Sequence, residues 1–277
     1  MIILWSPFGG WKRICFIVYG NIIPNSRYNT CFLLRDEEQL LLVDGGGGNT
    51  ILSQLQKVSV PITSIHHMFL THAHTDHVLG AVWVVRIILQ QMRSGLYEQT
   101  LHLWGNDKVL HVLSWICHNT LPNKLVALLD ERVQLHVLTD GESFDIGSWH
   151  FTAFDIHSTK EKQFGFRLDF PNGTSLTCLG DEPYNEKNKA YVDKVDWLLC
   201  EAFCLHGDTD RFHPYEKHHS TALDAARLAQ LLEVKNLVLY HIEDKTLNTR
   251  KAKYTAEAKS SFTGNVFVPN DLESILI

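Results

Sequence analysis

The 277 residues are 45% apolar and 20% charged, with 25 basic and 31 acidic side chains giving a net charge of −6. These proportions describe a soluble globular chain and exclude wholesale disorder, collagen-like repeats and coiled coil. The acidic balance leaves no global attraction for polyanions, so any nucleic acid would have to be met by a local patch. The unusual count is sixteen histidines.

In chain order, β-branched and aromatic runs separated by turn residues predict strands at 14–19, 30–34 and 40–43, the last running into Asp44 and four glycines. A short helix is expected at 50–57 and a buried strand at 68–70. The pattern continues with a strand at 100–104, a helix at 108–116, a strand at 133–138, a turn at Thr139-Asp140-Gly141 and a strand at 149–155. Pro171-Asn172-Gly173 between 164–170 and 175–179 signals a hairpin. Strands at 195–200, 236–240 and 262–268 complete the series. Thr221-Ala-Leu-Asp224 reads as a capping box opening a helix that would set Leu223, Leu228, Leu231 and Leu232 on one face. With no repeat, low-complexity tract or linker, a single domain over 1–277 is expected, built as two packed sheets covered outside by helices.

The six cysteines form no CxxC pair, which favours buried reduced thiols over a disulfide framework or zinc ribbon. The N-terminus lacks the charge and cleavage pattern of a signal peptide, and the longest apolar run, 78–89, is short and carries Arg86. A cytoplasmic protein with no membrane association is expected.

The segment carrying chemistry is Leu70-Thr71-His72-Ala73-His74-Thr75-Asp76-His77, delivered by a strand and followed by an apolar helix. Imidazole nitrogen and carboxylate oxygen are zinc ligands, and zinc suits a site that keeps an open position. So short a loop cannot wrap one ion with all four groups. The spacing therefore suggests His72 and His74 on one metal, with Asp76 and His77 on a neighbour.

This loop resembles the signature of the metallo-β-lactamase superfamily, which implies an α/β fold of the αββα four-layer sandwich type with a metal site at one edge. Three further residues resemble the family's remaining ligands: His157 as third histidine of the first metal, Asp181 as bridging aspartate and His241 as last ligand of the second. Within the superfamily the chain resembles the ribonuclease Z and related phosphodiesterase branch. The matching segments are Gly20-Asn-Ile-Ile-Pro24-Asn-Ser-Arg27-Tyr-Asn29, Cys200-Glu201-Ala202-Phe203 against H-E-A-T, His219-Ser220-Thr221, and Phe164-Gly165-Phe166-Arg167 against G-Y-R.

The resemblance implies a dinuclear zinc hydrolase, with Mn2+ or Fe as alternatives to Zn2+, that cleaves a phosphodiester of RNA, with tRNA 3′ processing as the branch's endonuclease reaction. Two neighbouring divalent ions would supply a water of pKa about 7 as nucleophile. The catalytic set is Asp76 with the metals, and His219 as general acid oriented by Glu201. The plainer alternatives are a helix N-cap neighbour for His219 and a surface carboxylate for Glu201, and His218 is a competing imidazole. Asp44 reads either as an outer support of the metal loop or as a plain turn residue.

The chain departs from the branch at Cys200, Phe203 and Glu182, the last standing where Thr is usual. Between His157 and Asp181 there is one hairpin and no Gly- and Lys-rich arm for gripping tRNA. A zinc-dependent thioesterase or lactonase of the same fold, and a non-catalytic metal-binding sensor, are the alternative readings. Homodimerisation is a family expectation.

Overall fold

In the computed structural model, residues 15–19, 30–246 and 248–277 are described, 15–19 by backbone alone. The segment 20–29, with its resemblance to the branch's N-terminal stretch, lies outside the described residues apart from its boundary at Thr30.

The first sheet contains β1 (Cys15–Tyr19), β2 (Cys31–Arg35), β3 (Leu40–Val43), β4 (His67–Leu70), β5 (Leu101–Gly105), β6 (Val133–Val137) and β14 (Ser274–Leu276). Its spatial order is β14-β1-β2-β3-β4-β5-β6. The second contains β7 (Ser143–Ile146), β8 (Trp149–Asp155), β9 (Phe164–Asp169), β10 (Ser175–Cys178), β11 (Trp197–Glu201), β12 (Asn236–Tyr240) and β13 (Asn265–Phe267), ordered β13-β12-β11-β10-β9-β8-β7. Hairpins make most of the antiparallel parts, and β14 returns from the end of the described chain to pair antiparallel with β1. From β3 to β6 and from β10 to β13 neighbouring strands run parallel, which requires helical crossovers.

Those crossovers make the outer layers. Helices α1 (Thr50–Lys57), α2 (Thr75–Arg93), α3 (Asp107–Thr120) and α4 (Asn123–Arg132) share a core with Leu33, Leu42, Met68, Leu70 and Leu103 of the first sheet. On the other side α5 (Lys189–Val192), α7 (Ala222–Leu231) and α8 (Arg250–Lys259) bury residues against Leu198, Cys200, Leu237 and Leu239. Between the sheets Phe32, Leu34, Leu41, Val43 and Phe69 meet Trp149, Phe151, Phe164, Phe166 and Leu168. Phe69 and Phe166 cross this interface edge to face, with centroids 5.0 Å apart. The chain thus has the αββα layering expected of it, the metallo-β-lactamase fold. Parallel strands buried on both faces read as continuous apolar runs, as in Leu237-Val238-Leu239-Tyr240.

Several elements differ from the sequence expectation. The helix placed at 108–116 runs over Asp107–Thr120, because Asn106 caps it by accepting from the Val109 amide. Strand β7 and helices α4 and α8 have no counterpart in the sequence reading. The 221–224 capping box is present with both reciprocal bonds; of the expected leucines Leu232 is buried and Leu228 packs partly against the same core, while α7 itself buries Ala222, Ala225, Ala226 and Ala229. Leu231 stands 73% exposed. Cys31, Cys117, Cys178, Cys200 and Cys204 are buried free thiols. Among the described residues, no helix is long and apolar enough to cross a membrane.

Four strands end at one edge of the sandwich and set the site. β4 runs into Thr71-His72, β10 into Leu179-Gly180-Asp181, β11 ends on Glu201 and β12 is followed by His241. In parallel sheets the carboxyl ends of strands are where loops diverge and leave room for ligands.

Candidate metal centre

The backbone reaches this edge through conformations that L-residues seldom adopt. Asp44, His157 and His241 have φ of 57°, 59° and 55°, and Gly180, just before Asp181, has 77°. Each non-glycine case is unfavourable by about 1–2 kcal/mol, so their gathering at one edge marks a site that the surrounding fold holds in place. The glycine run after Asp44 has a packing role at Gly45. A Cβ there would lie 2.0 Å from the Ala81 nitrogen, so the loop can press against α2 only without one. The Gly45 amide donates to the His77 carbonyl and the Gly80 amide to the Gly46 carbonyl, fixing the start of α2.

On this scaffold the imidazoles converge. The Nε2 of His72 lies 2.9 Å from Nδ1 of His74 and 3.5 Å from Oδ2 of Asp181. The Nε2 of His77 lies 3.7 Å from Oδ2 of Asp76 and 3.8 Å from Oδ2 of Asp181, and Nε2 of His241 lies 3.6 Å from the same oxygen. Ligand atoms of His72, His74 and Asp181 fall within 4.8 Å of one another, as do those of Asp76, His77 and His241. Asp181 is therefore placed between two donor groups divided as the loop spacing suggested. His157 is in neither group. It sits half-buried beyond β8, its amide donating to Oδ1 of Asp155 at 2.7 Å. The preceding Ile156 amide donates to the carbonyl of Gln163.

The donor set fits divalent cations on an observation independent of the motif. The Nε2 atoms of His77 and His241 are buried without a hydrogen-bond partner. Buried polar atoms are almost always satisfied, so such orphans need a partner of another kind. The protonation pattern agrees at two of the imidazoles. Burial and the neighbouring imidazole of His77 hold His72 well below the usual histidine range, and burial brings His241 down to about 3, so both rings are neutral, as a donor to a cation must be. Burial acts against ionisation of Asp181, yet the imidazoles of His72, His241 and His77 outweigh it and hold the carboxyl well below its usual range. For His77 burial is outweighed by Asp44 and Asp76, and its pKa rises to about 9.

Asp44 is the outer support, not merely a turn residue. Its Oδ2 lies 2.7 Å from Nδ1 of His77 and accepts from the Thr71 hydroxyl, while Oδ1 accepts from the Thr71 amide. Engaging Nδ1 leaves Nε2 of His77 facing the site. Two further buried residues were not anticipated. Gln163 Nε2 contacts Nδ1 of His72 at 3.0 Å and Oδ1 of Asp181. Asn106 donates to the carbonyls of Thr71 and Lys162, tying the metal loop to the segment after β8. Neither belongs to a spaced motif, and a polar residue next to a strand is the one mark either leaves in the sequence.

A third cluster joins Glu201, His219 and His241. Glu201 is wholly buried, Oε1 accepting from the Ser220 amide and Oε2 lying 3.5 Å from Nδ1 of His219. Burial raises the Glu201 pKa. An ion here as well as at Asp76 and His77 would require His241 to give up both ring protons, so this group is better suited to handling a proton. The surface-carboxylate reading of Glu201 does not hold. His218, by contrast, is exposed, with Nδ1 3.4 Å from the Thr159 hydroxyl. Glu182 is buried, accepting from the Ser158 hydroxyl with Lys160 3.6 Å away. Helix α6 (Thr209–Phe212) borders this side through Phe212, which packs edge-on against Phe203.

Comparison with known proteins agrees with this geometry. The ribonuclease Z of Mycobacterium bovis BCG is 26% identical over 95% of this chain and 97% of its own length. The metallo-β-lactamase fold protein YhfI of Bacillus subtilis superposes with a TM-score of 0.73 at 19% identity, covering 96% of this chain and all of the other. The short form of human tRNase Z superposes at 0.72 with 21% identity, covering 95% and 98%. The beta-lactamase superfamily domain matches residues 41–242, a span that includes every candidate ligand from His72 to His241, and the chain belongs to that superfamily.

Proposed function

We propose that this protein is a dinuclear zinc phosphodiesterase of the ribonuclease Z kind, an endonuclease acting on RNA with tRNA 3′ ends among its substrates. The observation that carries the reading is the buried Glu201–His219 pair beside His241, which simple metal storage would not need. The named activity of the M. bovis relative supports the substrate class. His72, His74 and Asp181, with His157 added from the end of β8, would hold one cation, and Asp76, His77, His241 and Asp181 the other. When bound, such cations neutralise phosphoryl charge and acidify water.

The protein's own groups do the rest. Asp44 and Thr71 hold the metal loop, and Gln163 and Asn106 brace it from β9 and α3. Glu201, fixed by the Ser220 amide, faces Nδ1 of His219 and leaves the ring's other nitrogen to carry a proton to the departing ribose oxygen. The lysines of this rim are already engaged: Lys108 with Glu161, Lys162 with Asp107 and Lys160 with Glu182. Phosphate recognition therefore falls chiefly on the metal centre. We place the protein in the cytoplasm and carry the homodimer as part of this proposal.

The test is turnover of bis(p-nitrophenyl) phosphate, a thioester and a precursor tRNA by metal-loaded protein, with His219→Ala alongside. Phosphodiester cleavage, with tRNA processing slowed about 10²–10⁴-fold in the variant, is expected. Thioester turnover without phosphodiester turnover, or an unaffected variant, overturns the reading. Elemental analysis of protein purified without added metal distinguishes zinc from manganese or iron.

A further inference from the structure

We propose that Phe203 is a positioning residue that fixes the plane of the His219 imidazole by stacking against it. The proposal rests on the general-acid reading of His219. The two rings lie with centroids 4.9 Å apart and planes 18° from parallel, and Phe203 is only 8% exposed. The contact is built, because the backbone clamps both partners. The Phe203 amide donates to the Ser220 carbonyl, and the Phe203 carbonyl accepts from the Glu243 amide and the Tyr254 hydroxyl. The ring itself is held edge-on by Phe212, with planes at 84°. Lys217 Nζ lies 5.4 Å from its centroid and donates to the Phe212 carbonyl.

The stack supplies what the carboxylate does not. At 3.5 Å the Glu201–His219 approach is longer than a normal hydrogen bond. The terminal torsion of a histidine has broad wells, so that contact leaves the ring free to tilt. The other neighbouring ring, His241, is inclined at 39° and 5.3 Å away. A flat aromatic face against the imidazole removes that freedom and keeps the proton-bearing nitrogen aimed at one place, which a threonine here could not do. Orientation of a reacting group is a large component of catalysis, and small misplacements are costly.

The experiment compares Phe203→Leu, which keeps bulk without a flat face, with Phe203→Tyr, which keeps the face. Zinc-loaded protein is assayed on bis(p-nitrophenyl) phosphate, whose phenolate leaves unprotonated, and on the dinucleotide UpU, whose ribose oxygen needs the proton. In parallel, proton NMR of metal-free protein follows the His219 ring resonances. Phe203→Leu is expected to lower kcat on UpU by about tenfold or more with KM unchanged. It should leave the aryl ester unaffected and move the His219 ring protons downfield as the ring current is lost. Phe203→Tyr should keep the parent's turnover of UpU and its His219 ring-proton positions. Unchanged turnover of UpU, equal losses on both substrates, or unmoved His219 resonances overturn the proposal. His219→Ala separates the two levels. If it cleaves UpU as fast as the parent, the general-acid reading fails and the positioning role with it. If it is slow while Phe203→Leu is not, only the positioning role fails.

Discussion

Asp44 and His77, from opposite sides of the α2 entry loop, are joined by a 2.7 Å contact between Oδ2 and Nδ1, and the same carboxylate takes the Thr71 hydroxyl and amide. Three donors on one buried carboxylate make Asp44 the part that orients the metal loop. In Asp44→Asn an NH2 group replaces one acceptor and opposes one of these donors. Metal affinity should fall about 10–100-fold, the usual consequence of losing such a support. Competition against a chromogenic chelator measures it. Unchanged affinity would mean that the backbone bonds of Gly45 and Gly46 to the start of α2 suffice to hold the loop.

A second group of histidines predicts a pH dependence. His67, His102 and His136 project from β4, β5 and β6 in a stacked ladder, His102 Nδ1 lying 2.9 Å from His136 Nε2, with Trp104 3.8 Å from the His136 ring. Burial, reinforced by His102, His66 and His136, lowers the pKa of His67 to about 4, and burial is the main cause of lowered values at His66, His102 and His136. His67 stays neutral in the fold down to about 4 while the unfolded chain protonates near 6.5, and the lowered values of the other three act in the same direction. Between those two values the unfolded state binds more protons at His67, so its contribution is full above about 6.5 and is lost as the pH falls towards about 4. The thermal midpoint of metal-free His67→Gln, which can still accept from Trp104, should fall less steeply across that window than the parent's. Parallel curves would show that the ladder does not govern acid lability.

How much of this was legible in the sequence varied with the kind of signal. The 72–77 loop is legible because metal chemistry demands particular side chains at close spacing, whereas Asp181 and His241, far from it in the chain, are marked only by the resemblance to the family. Asp44 was ambiguous, since an aspartate before glycines also spells a turn; only its bonds to Thr71 and His77 decide. Gln163 and Asn106 were invisible, because a polar side chain turned inward leaves no periodic mark. Helix α4 buries only Leu125 and Leu129 in its ten residues, too few to register as a face. In α7 leucine periodicity is the stronger sequence signal, yet close packing against β11 and β12 selects the small alanines.

That last reversal is testable by volume. Ala226 is fully buried on α7, whereas Leu231 is 73% exposed. Ala226→Leu must push the helix off the sheet or force a poor rotamer, at a cost of about 1–3 kcal/mol. Leu231→Ala removes a larger group and should change stability by less than about 0.5 kcal/mol. Urea midpoints at unchanged slope give both values. The opposite order would restore the leucine face.

The end of α7 offers a stabilising change. Past the helix, Glu233 adopts φ of 52°, its amide donating to the Gln230 carbonyl and that of Val234 to Ala229. This is the Schellman arrangement, whose left-handed residue is usually glycine because a Cβ there is unfavourable. The Glu233 side chain contributes only an exposed pairing with Lys194 at 3.8 Å, a kind of contact worth little. Glu233→Gly relieves about 1–2 kcal/mol of local strain, against about 0.4–1 kcal/mol for the added freedom of the unfolded chain. A net gain of about 0.5–1 kcal/mol follows from these two, read as a higher urea midpoint with unchanged slope and unchanged metal content. A loss of stability would show that the Lys194 pairing outweighs the backbone at this turn.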